Sequence, residues 1–198
     1  TMKKKLFAFF MAMTMILSLA ACGGDDSGKG AAAVDTSTVA VGAVVIARDD
    51  IPEDDIYAFT SAIFENNDAL SEKHDKEVLD LDFAASVTSV PYHPGAAKYF
   101  SEKGKTGAAV KDGAGTGSSR ALSFGTGGDT GTYYAFGGVL SSYVSSNTGL
   151  TVTALTSGGS QANIEDLSGD NVQLAFVQSD VMSYAYNGER LFDAPVAG

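Results

Sequence analysis

The chain has 198 residues, room for about one domain. It carries 13 Lys and Arg against 24 Asp and Glu, a net charge of −11, and a single cysteine. That balance argues against nucleic acid, which needs a clustered basic surface, and one cysteine rules out an internal disulfide.

Lys3, Lys4 and Lys5 precede the apolar run Leu6 to Leu19, and Ala20-Ala21-Cys22-Gly23 follows. A basic start, an apolar middle and small residues at the end make an export signal, too short for a permanent membrane helix. Leu19-Ala20-Ala21-Cys22 resembles the lipobox of bacterial lipoproteins. The resemblance implies that residues 1–21 are a lipoprotein signal peptide, that Cys22 is lipidated, and that the chain is held on an extracytoplasmic membrane surface. The other reading is a plain signal with a stray cysteine. Loss of the three lysines would leave 10 basic residues against 24 acidic ones, a net charge of −14.

Residues 22–38 are small, polar and unpatterned, the composition of a flexible tether. Val39–Ala47 is an almost continuous apolar run and predicts a strand buried on both faces. Asp49, Asp50 and Pro52 are helix-start signals, and Ile56, Phe59, Ile63 and Leu70 follow at helical spacing. They predict a helix over Pro52–Leu70. Glu72 to Asp82 is charged and predicted exposed, and Leu81 to Val90 holds a short helical turn. Pro94 suits the first turn of a helix running to Lys103, with Gly104 as its stop.

Five of the seventeen residues of Gly104–Arg120 are glycine, and no apolar period survives, so 104–120 is predicted to be a linker or long mobile loop. Beyond it the pattern is regular. Strands are predicted at Ala121–Phe124, Leu150–Leu155 and Val172–Val177. Helices are predicted at Thr130–Ser146, Ser160–Leu167 and Ser179–Tyr186. Alternation at this spacing means βαβ units, an α/β fold with a mostly parallel sheet flanked by helices, which Val39–Ala47 would join.

Each of these three strands runs into a polar turn. The first gives Gly125-Thr-Gly-Gly-Asp-Thr-Gly-Thr132, the second Thr156-Ser-Gly-Gly-Ser-Gln-Ala-Asn163, the third Gln178-Ser-Asp180. Glycine lets backbone approach a ligand closely, and a helix N-terminus offers unpaired N–H groups and partial positive charge. Two such turns aimed at one crevice make an anion cradle. The competing reading is ordinary strand ends and helix caps.

Enzyme motifs fit less well. Gly125-x-Gly127-x-x-x-Gly131 resembles a dinucleotide fingerprint, but Thr130 holds the third glycine's place and Leu155–Gly159 lacks the expected acid. No Gly-Lys-Ser/Thr follows for a P-loop. Tyr99-x-x-x-Lys103 has dehydrogenase spacing but precedes the glycine turn. His74 reads as a surface residue and His93 as a turn or packing residue. The aspartate pairs near Asp49 and Asp54 lack calcium-loop spacing, and no base is placed for a serine nucleophile. The expectation is a non-enzyme with no cofactor and no metal.

Three blocks, Ser123-Phe-Gly-Thr-Gly-Gly-x-x-Gly-x-Tyr-Tyr134, Thr156-Ser-Gly-Gly-Ser-x-x-Asn163 and Leu174-Ala-Phe-Val-Gln-Ser-Asp-Val181, resemble the start of mature TAXI-type solute receptors of TRAP transporters. Val44 to Asp55 and Pro91-x-His-Pro-Gly-Ala-Ala-Lys-Tyr-Phe100 resemble that family's end. The order is reversed, and the family's middle, which builds its second lobe, is missing. The resemblance implies one lobe of a periplasmic binding protein type II-like fold, circularly permuted. Residues 39–103 would be the family's C-terminal segment, 104–120 the join, and 121–198 its N-terminal segment, with 39–198 one domain. It further implies capture of a small carboxylate such as glutamate for TRAP membrane subunits. Gly127, Gly128, Thr130, Gly131 and Thr132 would hold the anion, and Tyr133, Ser157, Ser160, Gln161, Gln178 and Asp180 would line the wall. The alternatives are a nucleotide-dependent enzyme or a lipid-anchored scaffold domain with no ligand.

Overall fold

Small and β-branched apolar residues pack best where a pleated strand is covered on both sides. Ala43–Arg48 is such a strand, β2, with all six residues buried. The structure, a computed structural model, describes residues 6–13, 41–73, 79–105, 109–111 and 120–196. Four more strands are β1 (Leu6–Met13), β3 (Ala121–Gly125), β4 (Thr151–Leu155) and β5 (Leu174–Gln178). They form one sheet in the order β1-β2-β5-β3-β4.

β3 runs parallel to β4 and β5. β2 runs antiparallel to β5, and β1 antiparallel to β2. The α/β class stands, but the sheet is mixed where the sequence predicted mostly parallel strands. The segment after Arg120 runs β3-α5-β4-α6-β5, with helical crossovers between parallel strands, and β2 lies outside that series. The apolar segment Leu6–Met13 pairs as β1 along the outer edge of β2, in register from Leu6 opposite Arg48.

Helices α5 (Thr132–Asn147), α6 (Ser160–Ser168) and α7 (Ser179–Asn187) follow β3, β4 and β5 in turn, within one or two residues of the predicted spans. Before the Gly-rich stretch lie α1 (Glu53–Phe64), α2 (Asn67–Lys73), α3 (Leu81–Ser86) and α4 (Pro94–Glu102). The single helix predicted over Pro52–Leu70 is therefore broken at Glu65 and Asn66. Asn67 explains the break: its Nδ2 donates to Leu79 O and its Oδ1 accepts from Leu79 N–H, both at 3.1 Å. Leu70 is still buried.

α4 packs almost backbone to backbone on α1. A methyl on Gly95 would lie 2.2 Å from Glu53 O and 2.7 Å from Tyr57 N. The core joins this pair to the sheet. Phe59 meets Phe124 edge-on at 6.0 Å, Phe124 meets Phe176 at 4.7 Å, and Phe136 stacks on Phe176 at 6.2 Å. All four rings are fully buried, each contributing about 2 kcal/mol relative to exposure.

Part of the predicted linker is ordered. Tyr92 N–H donates to Ala109 O at 2.8 Å and Lys111 N–H to Tyr92 O at 3.2 Å. Arg120 Nη1 then reaches Asp55 Oδ1 at 3.4 Å, tying the start of β3 to the first turn of α1. Cys22, the tether 22–38, His74 and most of 104–120 lie outside the described residues. Among the described residues no helix is long and apolar enough to cross a membrane.

Candidate functional site

The C-terminal ends of β5, β3 and β4 lie side by side; β3 and β4 pass through turns into α5 and α6, while β5 runs directly into α7 without the predicted turn. In open α/β sheets that edge is where ligands bind. In the first turn Gly131 N–H donates to Gly128 O at 2.8 Å, and α5 starts at the next residue. Gly127 is buried beneath Tyr133, whose Cβ would stand 3.2 Å from a methyl on it. Gly128 is exposed, and a methyl there would meet nothing within 4 Å. It is the open point of the turn.

The second turn is bonded to the first: Ser157 N–H donates to Gly127 O at 3.0 Å. Ser157 Oγ accepts from Gly159 N–H at 3.1 Å. Gly159 has φ +94° and ψ −161°, a region essentially restricted to glycine, and from it α6 departs. Ser160 Oγ accepts from Gln178 N–H at 3.1 Å, which ties the start of α6 to the end of β5. Six predicted residues, Gly127, Gly128, Gly131, Ser157, Ser160 and Gln178, thus share one hydrogen-bonded edge.

α5, α6 and α7 begin at Gly131, Gly159 and Gln178 without a side-chain cap. By contrast Asp80 caps α3 and His93 caps α4. Uncapped starts leave first-turn N–H groups for solvent or ligand, as at α5 and α6, and give the edge a positive partial charge. In α7 Ser179 N–H already donates to Gly42 O at 2.8 Å, and Asp180 places a carboxylate in the first turn. Thr130 and Thr132 stand exposed on it. Tyr133 is half-buried with its ring 5.2 Å from Phe176. Two predicted residues are engaged on their own helices instead. Gln161 Nε2 donates to Glu165 Oε1 at 3.0 Å, and Asp180 Oδ1 accepts from Val181 N–H at 2.8 Å.

Sequence reasoning missed two buried residues behind the turns. Thr126 Oγ donates to Leu155 O at 2.6 Å, clasping β3 to β4. Asn163 donates to Thr126 O and to Phe176 O, both at 2.7 Å. The available signal was a polar residue in step with the apolar face that carries Ile164 and Leu167.

Titratable groups with displaced pKa values lie elsewhere. Burial pushes His93 down to about 4 and Tyr99 up to about 12. Among the described residues no group of three His, Cys, Asp or Glu could hold a metal. An open depression of 360 Å³ lies between the C-terminal ends of α1 and α5. Its Ser61, Asn66, Asn147 and Thr148 side chains all bond back to carbonyls of their own helices, so it lacks convergent polar groups.

Set against known families, the chain matches the NMT1-like family over residues 26–104 and 124–197. Together the two segments span more than half of it. The chain belongs to the NMT1-like family. NMT1-like proteins are substrate-binding proteins with a periplasmic binding protein-like fold, generally non-catalytic and usually extracytoplasmic. The mixed sheet with flanking helices fits that fold, and the NMT1-like match breaks off where the Gly-rich stretch begins. No solved structure matches the chain.

Proposed function

We propose that this chain is a solute-capturing lobe of the TAXI type, serving the membrane subunits of a TRAP transporter and binding a small carboxylate such as glutamate. The observation that carries this reading is the sheet edge. Two uncapped helix starts, those of α5 and α6, stand together there, and their two glycine turns are bonded through Ser157 N–H and Gly127 O at 3.0 Å. A carboxylate is the small anion such an edge suits, accepting several N–H bonds without a metal or cationic side chain. Gly127, Gly128, Thr130 and Thr132 supply backbone and hydroxyl donors, and Gly131, its N–H held by Gly128 O, closes the turn that presents them. Tyr133, Ser157, Ser160 and Gln178 form the wall, and Gln161 and Asp180 join it only by leaving their partners on α6 and α7.

The permuted order is part of the proposal. It rests on the order of the blocks that resemble the TAXI family's end and start, which lie before and after the Gly-rich stretch. The same reading takes 1–21 as the signal peptide, Cys22 as the lipid anchor and 22–38 as the tether. A single lobe offers one wall, whereas buried ligands lose most of their surface. Affinity is therefore in the millimolar range, about 4 kcal/mol. Hinge closure requires a second lobe.

Calorimetry on the full chain tests the reading with glutamate, dicarboxylates and NAD. Carboxylate heat that disappears in Gly128→Val supports it. A response to NAD alone supports the nucleotide-dependent enzyme, and silence to all three supports an anchored scaffold.

A further inference from the structure

The C-terminal edge of parallel strands presents carbonyl oxygens as well as helix starts. Bare carbonyls would repel an anion and leave the turns unfastened. Leu155 O is covered by Thr126 N–H and Oγ–H at 3.0 and 2.6 Å, and Gly127 O by Ser157 N–H. Two further oxygens of this edge are Thr126 O, just past β3, and Phe176 O on β5. A single group covers both: Asn163 Nδ2, at 2.7 Å from each. Both neighbours are acceptors, so this atom is the amide nitrogen. The side chain is fully buried. It crosses the seam between β3 and β5 next to their last paired residues, Gly125 and Ala175.

Gly125 supplies the second observation. A methyl there would lie 2.8 Å from Asn163 Oδ1. The first glycine of the turn thus makes room for Asn163 rather than for a ligand.

We propose that Asn163 is a positioning residue for the anion cradle: its amide holds the β3 turn against β5 and turns two carbonyl oxygens out of the binding edge. The proposal rests on the reading of this edge as a carboxylate site. The positioning role itself can be measured without ligand. Amide hydrogen exchange on the full chain compares Thr126 and Ser157, whose N–H bonds fasten the two turns, with Val44–Ala47 in β2. In Asn163→Leu, exchange at Thr126 and Ser157 rises at least about tenfold while β2 stays within roughly twofold. Acceleration shared equally with β2, or none at the turns, overturns the proposal. Should Asn163→Leu fail to fold, Gly125→Ala crowds the same amide and gives the same local acceleration; unchanged exchange there overturns it. L-Glutamate titration separates the two claims. Local acceleration in a protein that never binds glutamate keeps the positioning role and removes the carboxylate reading. Glutamate bound at wild-type strength by Asn163→Leu removes the positioning role and keeps that reading.

Discussion

His93 Nδ1 accepts from Gly95 N–H at 3.2 Å, so its Nε2 carries the proton it gives to Ile51 O at 2.9 Å. The cap requires the neutral ring, and burial holds the pKa near 4 against 6.5 for a free histidine. Between those values the unfolded chain binds the extra proton and the folded chain does not. The stabilisation is complete above pH 6.5 and is lost as pH falls toward 4, by roughly 3 kcal/mol. Urea midpoints measured across that range should show this slope, flattened in His93→Asn, which keeps a capping acceptor. Gly128→Val should do the reverse, removing glutamate binding while shifting unfolding stability by less than about 0.5 kcal/mol, because the new side chain meets open space. The Gly-rich turns were legible because glycine, hydroxyl and helix-start signals sit within a few residues of each other. Thr126 and Asn163 were not, because the groups they clasp lie 29 and 37 residues away.

At the scale of elements, the α1–α4 contact depends on one missing side chain. Gly95→Ala would drive a methyl into backbone atoms of α1 at 2.2 and 2.7 Å, and rigid backbone cannot yield as a flexible side chain can. We expect a loss of about 3 kcal/mol in urea unfolding. β3 to α7 were legible because apolar period switches from two to 3.6 at each boundary. The break between α1 and α2 was hidden, since it comes from Asn67 pairing with Leu79, outside any local pattern. The direction of β2 was hidden too, because a continuous apolar run marks burial on both faces and carries no polarity.

For the whole molecule, an ion pair between Arg120 and Asp55 links the segments on either side of the Gly-rich stretch. Burial raises the Asp55 pKa, and the Arg120 charge opposes that rise. A carboxyl with a folded pKa above 3.8 stabilises the fold less as pH rises through that pKa, so its cost is felt at neutral pH. Arg120→Ala should therefore lower stability by about 1 kcal/mol at pH 7, the exposed guanidinium being partly screened by water. That deficit should shrink in acid as Asp55 takes up its proton, a trend measurable by thermal unfolding at several pH values.

The proposed function stands on the cradle at the sheet edge, which an amide-resolved NMR titration of the full chain with L-glutamate tests directly. Saturable shifts are expected at Gly127, Gly128, Gly131 and Ser160 in the millimolar range, absent in Gly128→Val. Shifts confined to other parts of the molecule, such as the depression around Ser61 and Asn147, would contradict it.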